Sequence, residues 1–206
     1  MSTSKNGFAE YFTKLEKLQS WIVNDLTRAT IEAQTNFLVA MGIFNYIEIL
    51  GGFCLTKDSK CKDRFNFVFK NLLQTPYKTV FDKLELITKS DKGAYDCLRC
   101  GMTHEYLLKT YTLKEKQSSI NFTVFGVDDV AGFYRNILTK DCGIELLELE
   151  KGKYHLRIYN PRLIHDLNIA FETLKKNLIN NLSNNGINYR ANFLAWCKEV
   201  KLEQLV

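Results

Sequence analysis

The sequence predicts a mainly α, single-domain protein with a small antiparallel β insertion before its last two helices. Three observations carry that expectation. Apolar residues recur at spacings of three and four over about 8–110 and again over about 160–201. Strict polar–apolar alternation is confined to about 118–159. No internal repeat or low-complexity linker divides the two textures, so residues 1–206 read as one domain, with a change of pattern rather than a boundary near 112–118.

The elements follow in order. Phe8, Tyr11, Phe12, Leu15, Leu18 and Ile22 mark a first helix over 8–23. A second helix is expected from near Thr27 to Leu50, where Ile31, Phe37, Leu38, Met41, Phe44, Tyr46, Ile47 and Leu50 are dense enough to demand cover on most sides. Gly51-Gly52 reads as its stop, because glycine accepts the left-handed conformation at a helix C-terminus. Helices over about 63–73 and 77–88 flank Thr75-Pro76, a helix-start signal, and "FNFVFK" at 65–70 reads as core. Another helix is expected over about 93–109. In "SSINFTVFG" Ile120, Phe122 and Val124 alternate with Ser119, Asn121 and Thr123, the period of a half-buried strand. "GIELLELEKGKYHLRIYN" predicts a hairpin turning at 150–153, with Tyr154, Leu156 and Ile158 on one face. Asn160-Pro161 then opens a helix, with Asn as N-cap and Pro at the first helical position. Its stripe of Leu163, Leu167, Ala170, Phe171, Leu174 and Leu178 runs to "NNLSNNG". A last helix from Tyr189 to about 201 presents Phe193, Trp196 and Val200.

The composition is that of an ordinary globular chain, with 46% hydrophobic and 25% charged residues. No run of 18 apolar residues occurs and the N-terminal sequence lacks a secretory pattern, so the expectation is a cytoplasmic protein with no membrane association. Its six cysteines therefore read as reduced thiols rather than a disulfide framework. The net charge is +5, and residues 57–92, with nine basic and five acidic residues, account for +4 of it. Such a span is either a solvated lysine-rich face or an attraction for a polyanion such as RNA.

The stretch "YDCLRCGMTHEYLLK" at 95–109 concentrates chemically capable side chains. On an α-helix Tyr95, Leu98, Met102 and Tyr106 share an apolar stripe, whereas Arg99 and His104 diverge by about 140°. That pair can meet on one substrate only if Gly101 loosens the helix or a second subunit completes the site. Cys97, Cys100 and His104 fall within about 60° of one another, a face on which zinc could be held with Cys54 or Cys61 as fourth ligand. The spacing has no second C-x2-C to match it, and buried thiols are the alternative.

Within this stretch "LRCGMTHEYLL" resembles the Arg-x4-6-His signature of the HEPN superfamily (higher eukaryotes and prokaryotes nucleotide-binding): Arg99, four residues, then His104. Gly101, Glu105 and Tyr106 extend the likeness to bacterial HEPN-like proteins, and it covers about 8–110 and the helix from 161. The resemblance implies a helical bundle, a homodimer with both motifs lining one cleft, and in many members a metal-independent endoribonuclease without cofactor. In that reading His104 exchanges a proton with the ribose 2′-hydroxyl or the leaving oxygen. Arg99 holds the scissile phosphate through its forked donors. Asp96, Cys100, Glu105 and Tyr106 support the pair. One position departs: many cleaving members carry Asn, Asp or His after the arginine, where this chain has Cys100, a poor donor. The implied roles are RNA processing in a toxin–antitoxin or defence system, with RNA or an antitoxin as partner. Other members are non-catalytic nucleotide-binding or protein-interaction modules, and a zinc-stabilised helical protein is the third reading.

Elsewhere His155 and His165 read as structural or surface residues, since His165 and Asp166 as helix neighbours face different ways. Glu148 and Glu150 read as the polar face of a strand. No phosphate-binding glycine loop, nucleophile elbow or zincin motif occurs.

Overall fold

A computed structural model describes residues 4–89, 93–100, 119–184 and 186–200. The chain is mainly helical, as expected, with a small sheet inserted before its last two long helices. The first helix, α1 (Ser4–Ile31), is longer than its apolar pattern suggested and passes through Thr27 without a break. The spacing-of-four series Ile22, Leu26 and Thr30 stays buried across that position, and the Thr30 hydroxyl donates to the Leu26 carbonyl at 2.7 Å. The chain turns instead at 32–35, where Gln34 adopts a φ of 51°.

Helix α2 (Asn36–Cys54) is the central element, packed against α1, α3 (Cys61–Asn71) and the two C-terminal helices. Its buried series Val39, Ile43, Phe44, Ile47 and Leu50 meets Phe65, Val68 and Phe69 of α3 in one core. Gly51-Gly52 does not stop α2, which continues to Cys54. These glycines answer packing rather than chain reversal. A Cβ on Gly51 would lie 2.0 Å from the Arg64 carbonyl oxygen of α3, and one on Gly52 would lie 2.8 Å from the Trp196 ring. The helix gives up about 1 kcal/mol of propensity at each glycine and gains close approach of its neighbours. By length and composition α2 also suffices to cross a membrane, although Asn45 and Glu48 interrupt its apolar run and 56% of it is buried in the core.

Helix α4 (Thr75–Thr88) has Pro76 in its first turn and ends at Lys89 in the left-handed conformation. Residues 95–100 then form a π-helical turn, Tyr95–Cys100, rather than an α-helix.

The sheet is mixed, which corrects the antiparallel expectation. Strand β1 (Ser119–Phe125) runs parallel to β3 (Lys153–Tyr159), which is central, and β2 (Ile144–Glu150) pairs antiparallel on the other side. The cause is an element the sequence pattern did not disclose, helix α5 (Val130–Thr139), which carries the chain across between β1 and β2. Asp129 caps it, accepting from the Gly132 amide at 2.6 Å. The hairpin turn falls where predicted, with Gly152 at a φ of 79°. On β1 Ile120 and Phe122 face the core, while Asn121 and Thr123 face outward.

Helix α6 (Asn160–Ile179) buries Leu163, Leu167, Ala170, Phe171, Leu174 and Leu178 as its stripe predicts. Asn160 is not its cap, however. It lies fully buried inside the first turn, and its amide donates to the Asn36 carbonyl at 2.7 Å, fastening the start of α2. "NNLSNNG" and the two residues after it form a short hairpin, β4 (Ser183–Asn184) and β5 (Ile187–Asn188). Asn188 then caps α7 (Tyr189–Glu199), where Phe193 and Cys197 are fully buried.

A buried polar network joins sheet insertion to bundle. The Tyr77 hydroxyl of α4 donates to Asp166 at 2.6 Å and accepts from the Gly143 amide at 2.6 Å. Arg162 donates to the same Asp166 oxygen at 2.8 Å and to the Ile137 and Lys140 carbonyls at 2.9 and 2.6 Å. Burial, first of all, pushes the Tyr77 phenol well up, so it stays protonated as this network requires.

Candidate functional site

The candidate site grows from the turn that carries Arg99. Cys97 and Leu98 of that turn are buried, and the Tyr95 ring packs edge-on against Phe65 at 5.5 Å. These contacts fix the inner side of the turn and leave Arg99 and Cys100 half-buried at its rim. A π-helical turn, bonded i to i+5, advances each residue by less than an α-helix does, and such turns occur often at functional sites.

Arg99 reaches across to α2. Its Nε donates to Glu48 Oε2 at 3.1 Å, and only 19% of the arginine and 16% of the glutamate side chain are exposed. Glu48 is the sole charged residue among the 19 of α2. A lone carboxylate in so apolar a helix needs a cation beside it, and Arg99 is that cation. Sequence reasoning overlooked Glu48; the isolated charge in an otherwise apolar helix was the signal.

Two thiols frame the ion pair. Cys61, the exposed first residue of α3, hydrogen-bonds to Glu48, and that bond more than burial raises its pKa. Burial raises Cys100, with a smaller opposing effect from the Tyr95 hydroxyl, which donates to its sulfur. Burial likewise raises the Tyr95 phenol. Both thiols therefore remain protonated at neutral pH. Lys60 and Lys62 flank Cys61 in sequence.

The structure brings together Arg99, Cys100, Tyr95 and Cys61 with the unforeseen Glu48. His104, Glu105 and Tyr106 lie outside the described residues. Of the proposed zinc ligands, Cys97 is 5% exposed and burial pushes its thiol up to about 12, against the thiolate that zinc needs. Cys54 is fully buried and likewise raised. Among the described residues no three His, Cys, Asp or Glu side chains gather as a metal site.

The other histidines stand apart. His155 Nε2 lies 3.0 Å from the Thr123 hydroxyl on the exposed face of the sheet. His165 is half-buried on α6, while Asp166 turns inward to Tyr77 and Arg162, so they form no dyad. Glu150 is an exposed strand-end carboxylate bonded to Lys153, which lowers its pKa. Compared with known proteins, the chain matches no family model, no curated protein and no solved structure.

Proposed function

We propose that this chain is a HEPN-like RNA-processing protein whose Arg99 binds a backbone phosphate and whose His104 moves the proton of the 2′-hydroxyl or of the leaving oxygen. The observation that carries the reading is Arg99 itself, a guanidinium at a π-helical rim whose Nε donates to Glu48. The forked guanidinium suits a phosphate that approaches from solvent. A second copy of the chain completes the cleft in this proposal, and a toxin–antitoxin or defence setting would supply the RNA target and an antitoxin partner.

RNA cleavage in EDTA, wild type against His104→Ala, tests it. Cleavage confined to the wild type supports the proposal, and equal cleavage by both overturns it. A second reading, a module that binds RNA or nucleotide without turnover, is favoured by one specific feature. Cys100 stands where a hydrogen-bonding residue assists cleavage in the resembled family, and here its thiol already accepts from Tyr95. Binding by wild type and variant alike, with no cleavage by either, selects that reading.

A further inference from the structure

A second site lies away from Arg99, in a cleft of about 350 Å³ between the first turns of α4, the loop after α5 and the start of β2. That volume is in the range of small-molecule sites. We propose that this cleft binds a small organic cation of the alkylammonium or alkylguanidinium class. Its aromatic wall is Tyr159, buried and fixed on three sides. One ring face stacks on Phe125 at 5.0 Å, and the hydroxyl donates to Glu145 Oε2 at 3.0 Å. The Lys140 ammonium sits over the ring at 4.1 Å from its centroid, with no carboxylate in ion-pair reach among the described residues. The chain thus places its own alkylammonium against Tyr159, which identifies the chemistry that the ring face accepts.

The cleft holds acceptor capacity beyond what Lys140 uses. Glu145 engages Tyr159 and, at 3.5 Å, Arg157 through Oε2, leaving Oε1 without a partner among the described residues. Asp141 makes no hydrogen bond or ion pair with any described residue. Pro76 and Val80 supply an apolar wall for an alkyl stem. The loop is held in place rather than moulded by a ligand, because Arg162 clamps the Ile137 and Lys140 carbonyls and Tyr77 clamps Gly143. The site is for binding rather than reaction. The thiol that lines it, Cys142, donates to the Ile144 carbonyl at 2.7 Å and is raised by burial to about 11.

NMR titration of the full chain with butylammonium and butylguanidinium, and with butyrate as the anionic counterpart, tests the proposal. The expected result is saturable binding of the cations and none of butyrate. Lys140→Met, which removes the internal competitor, binds the cations roughly threefold tighter. Glu145→Gln binds them about tenfold weaker. Asp141→Asn, at an exposed position that leaves folding intact, also binds them more weakly. The proposal is overturned if Lys140→Met shows no saturable cation binding, if that variant binds more weakly than wild type, if butyrate is preferred, or if Asp141→Asn and Glu145→Gln, shown folded by circular dichroism, bind unchanged.

Discussion

Glu48→Gln removes the charge that holds Arg99 while keeping the shape of the side chain. In the wild type Nε and Oε2 are 3.1 Å apart, and both side chains are more than four-fifths covered. An exposed ion pair contributes about 0.2–1 kcal/mol. Removing one partner of a fully buried pair costs about 3–5 kcal/mol, since the other charge is left unpaired. This pair lies between those limits, so the variant loses about 2 kcal/mol. For a chain of this length that corresponds to a fall in Tm of about 4–8 °C. Urea denaturation of wild type, Glu48→Gln, Arg99→Gln and the double variant measures the coupling directly. A coupling of at least about 1 kcal/mol is expected. Cys61 provides an independent report, because Glu48 is the first cause of its raised pKa and its thiol should alkylate faster once the carboxylate is gone. Single-variant losses that add within about 0.3 kcal/mol, with Cys61 reactivity unchanged, refute the reasoning.

Three further outcomes follow from the packing and the buried groups. Gly51→Ala forces a Cβ onto the Arg64 carbonyl oxygen and loses about 2–3 kcal/mol by urea denaturation, although alanine is the better helix former; a stabilised variant contradicts the close-approach account. Tyr77→Phe leaves the Gly143 amide unsatisfied and takes one donor from Asp166, costing about 2–3 kcal/mol, and a loss under about 0.5 kcal/mol means the network contributes little. Cys97 and Cys142 have folded pKa values pushed up to about 12 and about 11, so the unfolded chain loses these protons first as pH rises. The stability they contribute is complete below the ordinary thiol range and is lost as pH climbs through that range toward 11–12. Cys97→Ala should flatten the alkaline decline, and an unchanged slope argues against its burial as the cause.

What was legible in the sequence was what each segment declares locally. The stripes of α3, α4 and α6, and the alternation of β1 and β3, are periodic enough to read because burial on one face imposes the period. Gly51-Gly52 misled because its meaning lies in Arg64 and Trp196, which come close only in the folded chain. Asn160 misled similarly: its amide serves Asn36, 124 residues away in sequence, rather than its own helix. Parallel pairing of β1 with β3 follows from the crossover through α5, whose start was marked by Asp129 yet passed unread. In the candidate site Arg99 and Cys100 stood out by type and spacing. Glu48 did not, because its reason for being there is 51 residues away.

The most direct test of the account is the affinity of a short single-stranded RNA for the wild type and for Arg99→Gln, each measured across a range of salt. The account predicts weaker binding by about tenfold, with a salt slope reduced by about 0.7, the share of one phosphate contact on a single strand. Equal affinity and an equal slope in the two proteins contradict Arg99 as a phosphate-binding residue.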